Sequence, residues 1–312
     1  MHQRRSRPCL EDTCAFGGDR DKLVGVNESI LEREMIIVSG KGGVGKSAVS
    51  AALALRAAAS GRLVLVLAMS DGMGLARHLG VEALTYEPHE IRPGIDGSAI
   101  DLASALDEYI QLQLHLPRMA RLGPAAKAFE VVATAAPGIR EVIAMGKPIF
   151  EVWGDAYDLV VVDAPPTGQL ASFLRAPATI RDLVPPGRVK DQSARMGATL
   201  ADPERTGLVL VTLAEELPVL ETRAAIEEIE KEQLIDHAAL VYNRILPPLS
   251  VPREVVEQLA PGGARSAALL HHQLIESQRE WRMELDTEWE LPYLFGLLTP
   301  TEVAARLADA WS

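Results

Sequence analysis

Several short runs along the chain are almost wholly apolar, with no polar alternation. They are Met35-Ile36-Ile37-Val38-Ser39, Leu63 to Ala68, Leu159-Val160-Val161-Val162-Asp163, Leu208 to Leu213 and Ala239 to Tyr242. A strand with one face in solvent alternates apolar and polar side chains, so runs like these predict strands buried on both faces. Between them, apolar positions recur at helical spacing. Lys46 to Ala59 reads as an Ala-rich helix that Gly61 ends. Pro218 to Glu230 reads as a helix with proline in its first turn, and Pro300 to Trp311 as a last helix. Buried strands separated by helices predict an α/β fold: a parallel sheet flanked by helices.

The longest interval between these runs is Leu84 to Asp155. It opens with a strand-and-turn pattern at Tyr86 to Ile100, then turns helical up to Trp153. Leu102, Leu106, Tyr109 and Gln113 share one helical face, and Leu112, Leu114, Leu116 and Met119 add apolar bulk. This predicts a helical subdomain inserted at about 101–155. Leu270, Leu274, Trp281 and Leu285 form a further helical stripe in about Arg265 to Leu285, expected to be core or interface. Residues 1–34 are polar, charged and aperiodic, which predicts a flexible N-terminal arm ahead of one domain spanning 35–312.

Composition narrows the function. The net charge is −12, so nucleic acid is not an expected partner. The two cysteines, Cys9 and Cys14, support neither a disulfide framework nor a four-ligand zinc site, and a reducing cytoplasm is the expected compartment. Arg4, Arg5 and Arg7 are not followed by a signal core, and no uncharged apolar run is long enough to span a bilayer. The adjacent His271 and His272 have no third ligand in register and read as helix surface.

The chemistry lies in Gly40-Lys41-Gly42-Gly43-Val44-Gly45-Lys46-Ser47, a full Walker A sequence between a predicted strand and a predicted helix. Glycines let the backbone curl so that successive N–H groups point at phosphate oxygens. The helix that starts there adds its positive end. Gly40, Gly42, Gly43, Val44, Gly45, Lys46, Ser47 and Ala48 are therefore the expected ATP-binding residues. Lys46 is expected to reach the β- and γ-phosphates and Ser47 to ligate Mg²⁺. Asp163 closes a β-branched strand where ligands of parallel sheets collect, and is expected to hold the Mg²⁺ water shell. Ala164-Pro165-Pro166-Thr167-Gly168 follows it; the prolines stiffen the turn, Pro166 is expected among the nucleotide-binding residues, and Gly168 permits close approach to a γ-phosphate.

The loop, together with Asp-Ala-Pro-Pro-Thr-Gly at 163–168, resembles the ArsA family of ATPases. That family includes arsenite-pump ATPases, ATPases that target tail-anchored proteins, and short bacterial members often labelled anion-transporting. The phosphate loop alone is shared with MinD, ParA and nitrogenase iron-protein relatives; the Pro-Pro-Thr-Gly segment favours the ArsA branch. The resemblance covers about Met35 to Pro247. It implies that Val241-Tyr242-Asn243-Arg244-Ile245-Leu246-Pro247 contacts adenine, with Asn243 reading the base. A lysine directly after the first glycine marks the deviant Walker A subgroup. It implies that Lys41 reaches a dimer partner's phosphates and stabilises transition-state charge there; the alternative is a solvated lysine.

Three departures qualify the resemblance. Relatives have Asp-Pro-Ala-His after the second strand, where the Asp orients water; this chain has Ser70-Asp71-Gly72-Met73. Asp71 is either that group or a helix cap before Gly72, which makes slow hydrolysis, or dependence on a partner's acid, an expectation. Gln169 stands where relatives often have His. The dimer-bridging Cys-x-x-Cys pair and the arsenite-binding thiols are absent, so arsenite is not expected to stimulate turnover. The resemblance implies a Mg²⁺-ATP hydrolase that works as a homodimer or as a heterodimer with a paralogous ATPase, coupled to a membrane-protein or hydrophobic client. Two alternatives stand beside it: a weakly active nucleotide-binding subunit, and a ParA- or MinD-like positioning ATPase, which the acidic balance opposes.

Overall fold

The computed structural model describes residues 30–114, 138–287 and 289–311. A single eight-stranded sheet in the order β3-β4-β2-β5-β1-β6-β7-β8 forms its centre. The strands are β1 (Met35–Gly40), β2 (Val64–Ala68), β3 (His89–Arg92), β4 (Ile95–Ala99), β5 (Leu159–Asp163), β6 (Thr206–Leu213), β7 (His237–Ile245) and β8 (Trp289–Pro292). All pairings are parallel except β3 with β4, which is the expected strand-and-turn segment. The helices are α1 (Lys46–Ala59), α2 (Met73–Leu79), α3 (Leu102–Leu114), α4 (Ile139–Gly154), α5 (Thr167–Leu183), α6 (Arg188–Ala201), α7 (Glu216–Glu232), α8 (Arg253–Glu257), α9 (Gly263–Arg282) and α10 (Pro300–Asp309).

Alternate side chains of one strand enter opposite cores. Ile36 and Val38 of β1 pack with α1, α2 and α10 on one face. Met35 and Ile37 pack with α4, α5 and α6 on the other. This is why Met35 to Val38 of β1 are apolar without alternation. α1 meets the sheet through Ala51, Ala52 and Ala54, all fully buried, and the small side chains let the helix lie close to the strands.

Ile30 and Leu31 are buried in the same core as α1, and Arg33 bonds Asp236 at 2.8 Å. Packed structure therefore begins upstream of Met35. The rest of the expected arm, residues 1–29, lies outside the described residues, as do Cys9 and Cys14. In the expected insertion, residues 115–137 lie outside them too; α3 and α4 flank that stretch, and α4 lays Met145, Ile149 and Val152 on the sheet. No helix among the described residues is long and apolar enough to cross a membrane.

The helical stripe of α9 divides. Trp281 and Leu285 pack beside the buried Tyr242, whose hydroxyl donates to the Trp281 carbonyl at 2.9 Å. Leu270 and Leu274 are exposed, because this half of α9 leans chiefly on the short α8. His271 Nε2 and His272 Nε2 each meet a backbone carbonyl, of Pro247 and Val251, and so fasten α9 to the loop after β7.

Candidate functional site

The order of strands puts β1 between β5 and β6, while the chain leaves β1 for β2 on the far side of β5. Such a reversal opens a crevice at the carboxyl ends of the strands. The register places Val38 opposite Asp163. The loop after β1 and the acid that ends β5 are thereby neighbours, although far apart in sequence.

The loop needs glycine at both ends. Gly40 has φ +154°, and a Cβ there would stand 2.1 Å from the Val211 carbonyl oxygen. Gly45, at φ +101°, precedes α1; a Cβ there would stand 2.4 Å from Asn243 Nδ2. Asn243 ends in the crevice because β7 carries it there, and its amide donates to the Val44 carbonyl at 2.8 Å. The residue implied to read the base is thus tied to the phosphate loop.

Lys46 crosses the loop, its ammonium donating to the Lys41 carbonyl at 3.4 Å. Burial pulls its pKa below that of a free lysine, and the charge of Asp163 offsets this in part. Ser47 Oγ donates to Asp163 Oδ2 at 2.7 Å, with Ser50 Oγ at 3.5 Å from the other oxygen. Burial raises the Asp163 pKa, against the hydrogen bond from Ser47 and the charge of Lys46. A half-buried lysine and a buried carboxylate, each pushed toward neutrality, mark the mouth of the loop as a candidate site for a charged ligand. The oxygen donors Ser47 and Asp163 fit Mg²⁺, a hard cation that favours such ligands.

Pro166 caps the start of α5 with φ −56°, and Ser39 Oγ donates to the Pro165 carbonyl at 2.6 Å. This bond fixes the segment after Asp163 against β1. Asp71 stands before α2, its carboxylate accepting from the Met73 N–H at 3.1 Å. The start of α2 abuts the loop, since a Cβ on Gly74 would lie 3.1 Å from Ser47 Oγ. Lys41 turns outward and donates to Glu221 at 2.6 Å.

Beside the loop lies a cleft of about 350 Å³, whose walls include Gly45, Ala48, His78, Asn243, Arg244 and Tyr293. Its size suits a nucleoside. The sequence pattern had not singled out His78 or Tyr293. They come from α2 and from the segment after β8, and only the fold brings them to the loop.

The profile of the anion-transporting ATPase family matches residues 33–185 and 186–255, which include the loop, Asp163 and Asn243. The chain belongs to that family. The chain is 37% identical over 232 residues to ATPase BagA of Mycobacterium tuberculosis, covering 71% of this chain and 68% of that one. It is 24% identical over 269 residues to ATPase get3 of Schizosaccharomyces japonicus, covering 73% and 81%. A protein of Halobacterium salinarum named for driving an arsenical pump is 26% identical over 260 residues, covering 77% and 40%.

Proposed function

We propose that this ATPase binds Mg²⁺-ATP in the crevice, hydrolyses it as a two-copy nucleotide sandwich in the cytoplasm, and couples the cycle to a client. The observation that carries the reading is the convergence of Lys46, Ser47 and Asp163 at the mouth of a glycine cradle, next to a nucleoside-sized cleft. The backbone N–H groups from Gly42 to Ala48 and the start of α1 face the phosphates. Lys46 neutralises charge on the β- and γ-oxygens. Ser47 and Asp163 hold the magnesium, which screens the phosphates when bound. Asn243 and the walls of the cleft take the base.

The reaction is in-line attack of water on the γ-phosphorus with loss of ADP. Its acceleration rests on positioning and charge neutralisation rather than on a covalent intermediate. Asp71 orients the water after giving up the Met73 N–H, and Lys41 acts on the partner's triphosphate. The client is a membrane protein or another hydrophobic species; the partner is a second copy or a paralogous ATPase.

One observation favours a second reading, in which the chain is a slow nucleotide-binding subunit of a heterodimer. Asp71 is already engaged as a local cap. Turnover by the purified chain separates the two. The first reading expects Mg²⁺-dependent phosphate release that Lys46→Ala lowers about 100-fold or more. Adenine-nucleotide binding without turnover supports the second. No affinity for Mg²⁺-ATP overturns both.

A further inference from the structure

Lys41 is not left to solvent here. Its ammonium lies 2.6 Å from Glu221 Oε1, a residue of α7 far away in sequence. The lysine side chain is 28% exposed and the glutamate 49%. Glu221 follows Leu217 and Leu220, which stand 62% and 44% exposed at the start of the same helix. The lysine that the proposed function sends to a partner is therefore held by its own chain, through a helix that also carries two exposed leucines. Its backbone carbonyl meanwhile holds Lys46.

We propose that Glu221 is a positioning residue that parks Lys41 in its own protomer and thereby sets which nucleotide can drive assembly. The inference rests on the sandwich reading given above. To enter the partner's site, Lys41 must leave one carboxylate. A triphosphate offers more negative charge than that carboxylate, so the exchange favours assembly with ATP. ADP lacks the γ-phosphate and competes less well. Without Glu221 that competitor is removed, and the nucleotide requirement relaxes.

The magnitude follows from exposure. Breaking an exposed ion pair changes an equilibrium by about 2- to 5-fold. Each sandwich breaks two such pairs, one per copy, so neutralising Glu221 multiplies the dimerisation constant by about 4 to 25. The size is small enough for nucleotide to control and large enough to measure.

The test is sedimentation of the full chain over a range of protein concentrations, with Mg²⁺ and either a non-hydrolysable ATP analogue or ADP. Glu221→Gln is expected to dimerise at about 4- to 25-fold lower concentration with the analogue, and to dimerise with ADP where the parent stays monomeric. Glu221→Asp, which keeps the charge, is expected to restore the parent's preference for the analogue. Equal or weaker assembly of Glu221→Gln, or an unchanged ADP response, overturns the proposal. Lys41→Ala separates the two levels of the argument. If it assembles and hydrolyses like the parent, the trans role of Lys41 fails, whatever Glu221 does.

Discussion

Asp163 sits in an environment at odds with its charge. Burial raises the pKa of this carboxyl, so the folded state holds its proton at a higher pH than the unfolded chain does. The resulting sign is definite. The cost of the buried charge is absent below the unfolded pKa and is felt as pH rises through the raised one. Asp163→Asn is therefore expected to raise the melting temperature of nucleotide-free protein at pH 7–8, by about 2–4 °C for each kcal/mol of burial cost relieved. The gap should close toward pH 4, and Mg²⁺-dependent turnover should be lost. A scanning-calorimetry series across pH, with a gap that stays constant or reverses, would contradict the assignment of burial as the main cause. At this scale much of the candidate site was legible as a motif. Lys46, Ser47 and the glycines lie together in sequence, and their chemistry requires that spacing. Glu221 was not readable: nothing in α7 marks it until the fold brings Lys41 against it. Nor could the sequence choose between the two readings of Asp71, whose carboxylate accepts from the Met73 N–H in this structure.

Among the elements, α10 shows how a peripheral helix supports the site. Thr299 caps it with both halves of a capping box: its hydroxyl accepts from the Glu302 N–H, and Glu302 accepts from the Thr299 N–H at 2.7 Å. Ala304 and Leu307 then pack α10 into the core that holds α1. His78 Nδ1 lies 2.9 Å from the Pro300 carbonyl, linking α2 to the same end. Thr299→Ala is expected to cost about 1 kcal/mol, the usual worth of such a cap. Denaturant melts should show a lower midpoint with an unchanged slope; a cost near zero would mean that packing alone fixes the helix. The strands and helices that make this scaffold were legible where apolar runs were long. β8 was not, because its four residues end in Pro292 and carry no run to detect. The stripe on α9 was legible as a pattern but not as a destination: Trp281 found a core, while Leu270 and Leu274 did not. Periodicity reports which side chains share a face and is silent on what covers each half of a helix.

For the whole molecule, the parallel sheet and its helical layers were legible because both cores are filled by uninterrupted apolar strands. The strand order was not, since periodicity carries no information about which strands are neighbours. That order is what makes the site, by placing β1 beside β5 and bringing Asp163 to the loop. The functional unit proposed here is larger than one chain, and that has a kinetic signature. Specific turnover of the purified protein is expected to rise with its concentration and then level off, as monomers give way to sandwiches. Phosphate release per mole that is flat from nanomolar to micromolar protein would favour a chain that works alone or is already fully assembled.

The outer strands of the sheet constrain how two copies can meet. β3 and β8 have four residues each; the first is broken in register between Glu90 and Arg92, and the second stops at a proline. Margins this short and irregular make poor templates for a visiting strand. Growth by sideways stacking into a continuous ribbon is thereby discouraged at both flanks. A finite, reversible self-association through the rim where the strands end, as the proposed sandwich requires, would place the triphosphate at the seam, able to act as its fastener.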